Sequence, residues 1–425
     1  MSSQNRSLLI DNRNFLEDHD FSFLSSSPLV SHSHHYNLAF DQVLDDALGV
    51  ESSAQVRMDS AYEACSQLLN GLINDLPPTT REERFALAAV LFASLGHGRL
   101  DYQIGNDGTG IVKGKNLHYG SLWARTRGGQ HKRSSTADVF ACGFIAATVE
   151  AAFGLPLGSI SCRETSCVAK DGGEVCIFEV TISGKPLEAF GVTRDDVVSV
   201  APDSFGALHE VLLCDASAEF FEYVLKETNG DKRGLIESFG VFLAHHMGNY
   251  YNACSNNMLQ ILQKDRPALL DIAKELLCEC GHRDGYFTFG GILCSSEWQA
   301  LSIERTGESI DVVNGCLAIA RALGYGHWAL EDYEPEKRLV LRSPSTYESA
   351  YHKVAYPDTD SSVCFAYQGA ATAIMDLAHR VELDENTKLT EDGYRQLRND
   401  MLWNVNETHC VSSGHDMCRI VVERR

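Results

Sequence analysis

The chain has 425 residues, 44% of them hydrophobic, and since one core rarely grows past about 250–300 residues, two or three domains are expected. Asp and Glu number 58 against 36 Lys and Arg, a net charge of -22 that repels a nucleic-acid backbone and argues against direct nucleic-acid contact. The opening "MSSQNRSLLIDNRNF" lacks the apolar stretch of a secretory signal and no run is long enough for a membrane span, so a cytoplasmic protein with reduced thiols is expected.

Residues 1–55 are rich in Ser, Asp, Asn and His ("SSSPLVSHSHHYN") and are expected to form a poorly packed arm, with His32, His34 and His35 on a mobile loop. A first domain is expected over 56–204. It opens on helical periodicity in "MDSAYEACSQLLNGLINDL", restarts behind a Thr cap in "PPTTREERFALAAVLFASLG", and runs through strands "GRLDYQI" and "TGIVKG". The basic cluster Arg125, Arg127, His131, Lys132, Arg133 reads as a solvated loop, because no helix start follows it at phosphate-binding spacing. Next come the helix "SSTADVFACGFIAATVEAAFGLP" and the strand "CIFEVTIS".

Residues 205–255 read as a helical connector, which puts His245, His246, Tyr250, Tyr251 and Cys254 of "AHHMGNYYNAC" on one helix. The second domain, 256–425, then repeats the earlier order: helix, Leu-Gly-x-Gly, strand "KRLVLRS", helix "SSVCFAYQGAATAIMDLAHRV" and strand "CRIVVER". The two Leu-Gly-x-Gly motifs (Leu95, Gly96, Gly98; Leu323, Gly324, Gly326) are offset by 228 residues, and Glu164 and Glu407 by 243. The charged stretch "ELDENTKLTEDGYRQLRND" accounts for the difference. Similar elements in the same order indicate an internal duplication.

Each copy ends on Glu-x-x-Cys, a short polar tip and a second Cys: "ETSCVAKDGGEVC" and "ETHCVSSGHDMC". Thiolates and carboxylates are both zinc donors, and four of them close a tetrahedral structural site. Glu407, Cys410 and Cys418 supply three, and Cys364 on the preceding helix is the best fourth; packed free thiols are the competing reading. "CECGH" (Cys278, Cys280, His282) offers three soft donors but reads as incidental. No phosphate loop, nucleophile elbow or His-Glu-x-x-His motif occurs.

The order Cys364, Gly369, Glu407, Cys410, Gly414, Cys418 resembles the vinyl-4-reductase-type domain, found in a bacteriochlorophyll-pathway protein and as the aromatic-sensing module of phenol- and xylene-responsive transcription activators. The resemblance covers about 290–425 and, more loosely, 80–182. It implies Cys364, Glu407, Cys410 and Cys418 as zinc ligands. The first copy supplies Glu164, Cys167 and Cys176 with Asp138, or Cys142 one helical turn later, as the fourth. It also implies a small apolar cavity between sheet and helices, with Phe92, His97, Trp123, Tyr325, His327 and Trp328 as candidates for its wall.

The expected fold is therefore α/β (α+β): two duplicated units, each an antiparallel sheet covered by helices with a zinc-clamped C-terminal hairpin. The expected function is binding or sensing of a small aromatic or apolar molecule, with zinc as structural cofactor and output through a protein partner. The two copies would pair within one chain, with a homodimer left open. An enzyme or auxiliary factor acting on a tetrapyrrole or aromatic molecule, and a non-catalytic assembly scaffold, are the alternatives. A closed four-ligand site leaves no position for a catalytic water.

Overall fold

The computed structural model describes residues 12–16, 20–76, 78, 80–126, 132–185, 187, 191–200, 220, 223, 224, 227–301, 306–357, 361–384 and 386–425. The N-terminal half runs β1 (Arg13–Leu16), β2 (Phe21–Leu24), β3 (Ser27–Ser33), α1 (His34–Leu48), α2 (Val50–Asp75), α3 (Arg81–Ser94), β4 (Arg99–Ile104), β5 (Gly110–Lys115), α4 (His118–Thr126), α5 (Val139–Phe153), β6 (Ile160–Ser166) and β7 (Val175–Ile182). The C-terminal half runs in the same order: β8 (Ile236–Ser238), β9 (Val241–Met247), α6 (Gly248–Asp265), α7 (Leu270–Asp284), α8 (Ser309–Ala322), β10 (Ala329–Glu334), β11 (Arg338–Ser343), α9 (Tyr347–Ala355), α10 (Phe365–Arg380), an additional α11 (Glu391–Asp400), β12 (Trp403–His409) and β13 (Cys418–Arg424).

Each half has a four-stranded antiparallel sheet, ordered β4-β5-β7-β6 in one and β10-β11-β13-β12 in the other. The fold is thus α+β with two like units, as expected. α3 begins at the Thr80 cap read from the sequence: Glu83 N–H donates to Thr80 Oγ1 and Thr80 N–H to Glu83 Oε2, a capping box. α5 is apolar nearly all round and buried on almost every face, as a helix pressed between a sheet and a second helix must be. Helices pack tightly at Gly143 and Gly369. A Cβ at Gly143 would stand 2.6 Å from Ala61 Cβ, and one at Gly369 would overlap Cys278 O and His282 N. Gly369→Ala is accordingly expected to cost about 1–3 kcal/mol, read as a lower denaturation midpoint with an unchanged slope.

A third sheet, ordered β1-β2-β3-β9-β8, joins the halves through the antiparallel pair β3–β9, in which Ser31 sits opposite His245. The structure departs from the sequence reading here. Residues 21–33 and most of α1 are buried, with Phe23, Leu24, His32 and Leu44 fully so, where a poorly packed arm was expected over 1–55. Residues 236–247, expected within a helical connector, form the β8–β9 hairpin, so His245 and His246 lie on a strand and only Tyr250, Tyr251 and Cys254 lie on a helix. Residues 1–11, 17–19 and 201–219 lie outside the described residues.

The physical reason is long-range pairing. β3 and β9 carry Ser and His that read as loop-like, but Ser31, His32, Ser33 and His246 find partners in the other half. Ser31 Oγ meets His245 Nδ1 at 2.6 Å, and His32 Nδ1 meets Asp284 Oδ2 at 2.8 Å. The two Leu-Gly-x-Gly turns secure the same strands across the halves: Leu95 O accepts from His245 N (2.9 Å) and Leu323 O from Ser31 N (3.0 Å). Gly96 and Gly324 take φ of +89° and +85°, and a Cβ there would press on Leu243 O and Leu29 O, so glycine serves both the left-handed turn and the close approach.

Of the basic cluster, Arg133 is buried against Asp45 (2.6 Å) rather than solvated, Arg125 and Lys132 are exposed, and Arg127 and His131 lie outside the described residues. Among the described residues no helix is long and apolar enough to cross a membrane.

Candidate metal centres and a neighbouring cleft

Each half brings four donors together, all buried, with ligand atoms within 4.8 Å of one another: Cys364, Glu407, Cys410 and Cys418 in one, Asp138, Glu164, Cys167 and Cys176 in the other. They arrive by the same route. The first donor is the residue before the helix, Asp138 before α5 and Cys364 before α10. The Glu lies on β6 or β12 just ahead of a register shift, between Glu164 and Ser166 or between Glu407 and His409. That bulge redirects the strand so that the Cys three residues on faces back toward the Glu. The last Cys begins the return strand region, with Cys176 opposite Gly114 and Cys418 opposite Ser343.

The glutamates are held alike. Glu164 Oε2 accepts from Asp138 N (2.9 Å) and Glu407 Oε2 from Cys364 N (3.2 Å). Oε1 of each is buried without a hydrogen-bond partner. A buried carboxylate oxygen left unpaired is costly, and here both unpaired oxygens belong to a compact set of thiols and carboxylates. Cys364 Sγ stands 3.7 Å from both Cys410 Sγ and Cys418 Sγ, and each described cysteine is a free thiol. Cys142 lies outside the first tetrad; its interaction is with Cys162, which leaves Asp138 as the fourth donor.

Four acids packed together cannot all ionise without a cation. Burial, and then the neighbouring Cys410, push the Glu407 carboxyl well above its ordinary range. Burial and Cys167 raise Glu164 to about 8. The thiols split: hydrogen bonds from Cys364 and then Cys418 hold Cys410 far below an ordinary thiol, and one from Cys176 lowers Cys167 to about 7. Such sets bind a divalent ion with release of protons. Among the described residues Cys278, Cys280 and His282 form no such group.

The candidate cavity residues are placed differently from expectation. Phe92, His97, Tyr325 and Trp328 are buried ring against ring: His97 on Phe140 (4.5 Å), Phe92 on Phe144 (4.8 Å), Tyr325 on His32 (4.7 Å) and Trp328 on Tyr367 (4.1 Å). Trp123 is half-buried under the Arg133 guanidinium (4.7 Å), and His327 pairs with Asp20 (2.7 Å). The side chains expected around a ligand thus fill the space themselves.

Among the described residues a cleft of about 930 Å³ lies in the C-terminal half, between α7, α10, α11 and β12. Phe365, Gln368, Thr372 and Trp403 are among its lining, and Ile272 and Met401 are exposed at it. His282 Nε2 lies 2.9 Å from Asp376 Oδ2 at the same cleft, while Trp403 Nε1 and Arg380 Nη1 donate to Oδ1 (2.9 and 3.0 Å). A smaller cavity of about 220 Å³ shares Lys274, Ser361, Ser362 and Phe365 with it. Both therefore touch the segment that carries Cys364. The sequence offered little signal for this cleft, because α11, one of its walls, comes from the charged insertion that hydropathy reads only as surface.

No family model matches the chain, and no curated protein matches it. Among solved structures, the phenol-responsive sensory domain of the transcription activator PoxR, in its crystal structure with phenol, aligns over 41% of this chain and 73% of that domain, with 13% identity and a TM-score of 0.29.

Proposed function

We propose that the chain is a zinc-stabilised small-molecule-binding protein, built from two copies of one vinyl-4-reductase-type domain, that works where thiols stay reduced and signals through a protein partner. The observation that carries this reading is the pair of buried tetrads, each with one glutamate oxygen left unpaired among thiols. Zinc, when bound, supplies the charge that lets four buried acids ionise together and ties a helix start to a terminal hairpin. With four protein donors the site has no place for a reacting water, so its contribution is to the fold. The interlocked hairpins make the two copies a pair within one chain, and the acidic net charge keeps nucleic acid off the partner list.

The ligand is assigned to the C-terminal cleft, whose volume falls in the range of small-molecule sites and whose walls combine Phe365, Leu276 and Trp403 with a few polar groups. Metal analysis of the purified chain with native mass spectrometry tests the whole reading: zinc together with a bound small molecule is expected. Thr372→Trp should intrude into the cleft and strongly weaken the small-molecule adduct while metal content and melting temperature stay close to the parent. An adduct that survives this change undiminished would move the ligand elsewhere.

One observation favours an enzyme as the second reading: the His282–Asp376 pair is acid–base chemistry facing open volume. Turnover of a bound aromatic compound that stops on His282→Gln, with binding retained, would select it.

A further inference from the structure

The two tetrads differ in ways that the shared motif does not show. The C-terminal one has three thiols and one carboxylate, the N-terminal one two of each. The surroundings differ as well. In the C-terminal tetrad a hydroxyl oxygen stands near every sulfur: Thr346 Oγ1 at 3.2 Å from Cys364, Ser412 Oγ at 3.0 Å from Cys410 and Ser349 Oγ at 3.2 Å from Cys418. Ser412 Oγ donates to Ser361 O, Ser349 Oγ to Thr346 O, and the Cys418 thiol to Ser349 Oγ; once a metal strips the thiol protons, these hydroxyl hydrogens can rotate to the thiolates. With Gly114 matching Ser343 and Cys167 matching Cys410, the corresponding N-terminal positions are Leu117, Gly120 and Ala169, none of which has a hydroxyl. There the sulfurs accept from backbone, Ala137 N to Cys167 (3.3 Å) and Val168 N to Cys176 (3.4 Å), and Cys167 accepts from the Cys176 thiol as well.

Asp138, the N-terminal donor in place of Cys364, is already engaged. Its Oδ1 accepts from Gly120 N (3.1 Å) and its Oδ2 from the Cys176 thiol (3.4 Å). An ion entering either tetrad displaces existing hydrogen bonds, but at Asp138 it gains a hard oxygen where at Cys364 it gains a soft sulfur. The unpaired, buried Glu164 Oε1 still marks the N-terminal tetrad as a metal position.

We propose that the two centres divide the work: the C-terminal tetrad holds a slowly exchanging structural zinc, and the N-terminal tetrad is a readily exchangeable divalent transition-metal site. The inference rests on the zinc reading above and adds to it a difference in lability. Softness of the donor set governs which site holds zinc harder, and the missing hydroxyl contacts act in the same direction.

The test uses the full chain loaded with zinc and challenged with excess chelator beside a chromogenic zinc indicator. Two release phases of equal amplitude are expected, the fast one on the order of tenfold or more quicker. Asp138→Cys should move the fast phase into the slow one, and Cys364→Asp should do the reverse. Cobalt substitution shows that each variant site is folded and filled: the cobalt–thiolate absorption should rise for Asp138→Cys and fall for Cys364→Asp. A single phase for both ions, or a fast phase that persists in Asp138→Cys while cobalt reports the added thiolate, overturns the proposal. A chain that takes up no metal would instead remove the zinc reading on which it stands.

Discussion

Cys410→Ser is expected to lower the melting temperature of the C-terminal half by about 10 °C or more. Cys410 Sγ lies 3.7 Å from Cys364 Sγ and beside the unpaired oxygen of Glu407, and it is fully buried. On the zinc reading proposed above, removing this thiolate takes one of four donors from a site whose binding energy is folding energy, worth roughly 10–16 kcal/mol in small zinc domains. Loss of about 4 kcal/mol of that corresponds to the stated shift for a unit of this size. Cys254→Ala is the control, since that thiol is equally buried but belongs to neither tetrad; its cost should stay near 1 kcal/mol. Calorimetry with and without chelator checks both. Chelation should reproduce the Cys410 effect in the parent and add little to the variant, and equal small shifts in the two variants would contradict the ligand assignment.

The second large effect is a loss of stability in mild acid. His34, His97 and His245 are each held near 3, and His118 and His246 well below the ordinary imidazole value, in every case chiefly because burial disfavours the charged ring. A group whose folded pKa is depressed contributes stability that is present above its unfolded pKa and lost as pH falls. The loss therefore begins near pH 6.5 and, for each ring, reaches about 1.4 kcal/mol at pH 5.5. Glu348, raised to about 8 by burial, works in the opposite sense: its contribution is complete below the usual carboxyl range and fades as pH rises toward 8. Stability should thus peak near neutrality, with a net loss of about 3 kcal/mol or more by pH 5.5. With zinc in excess, proton uptake on unfolding at pH 5.5 should be positive and should fall by about one proton in His34→Asn. No uptake, or none lost in that variant, would show that these rings are charged in the folded chain.

How much of this was legible beforehand depends on the range of the interactions. The Thr80 cap, the strands around Lys115 and Cys176, and the buried helices after Asp138 and Cys364 follow from neighbours along the chain, and those elements form where periodicity and capping place them. The tetrads were half legible. Glu-x-x-Cys and the second Cys sit on one hairpin and so announce themselves by spacing, whereas Asp138 over Cys142 is decided by which residue caps the helix beneath the hairpin. Trp328 and His97 read from the sequence more readily as ordinary core than as ligand contacts, and they pack against Tyr367 and Phe140.

The amino-acid order by itself determined the repeated α+β units, the acidic surface and the paired Cys and Glu donors, because each is written in local pattern or in composition. The tertiary structure alone decided that residues 21–48 and 236–247 are core. Their strands mix apolar residues with buried Ser and His, and for Ser31 and His32 it is a partner more than 200 residues away that completes the hydrogen bond. It also decided where the larger described cleft opens, since that cleft depends on α11 standing off α7 and α10, a distance that no local pattern encodes.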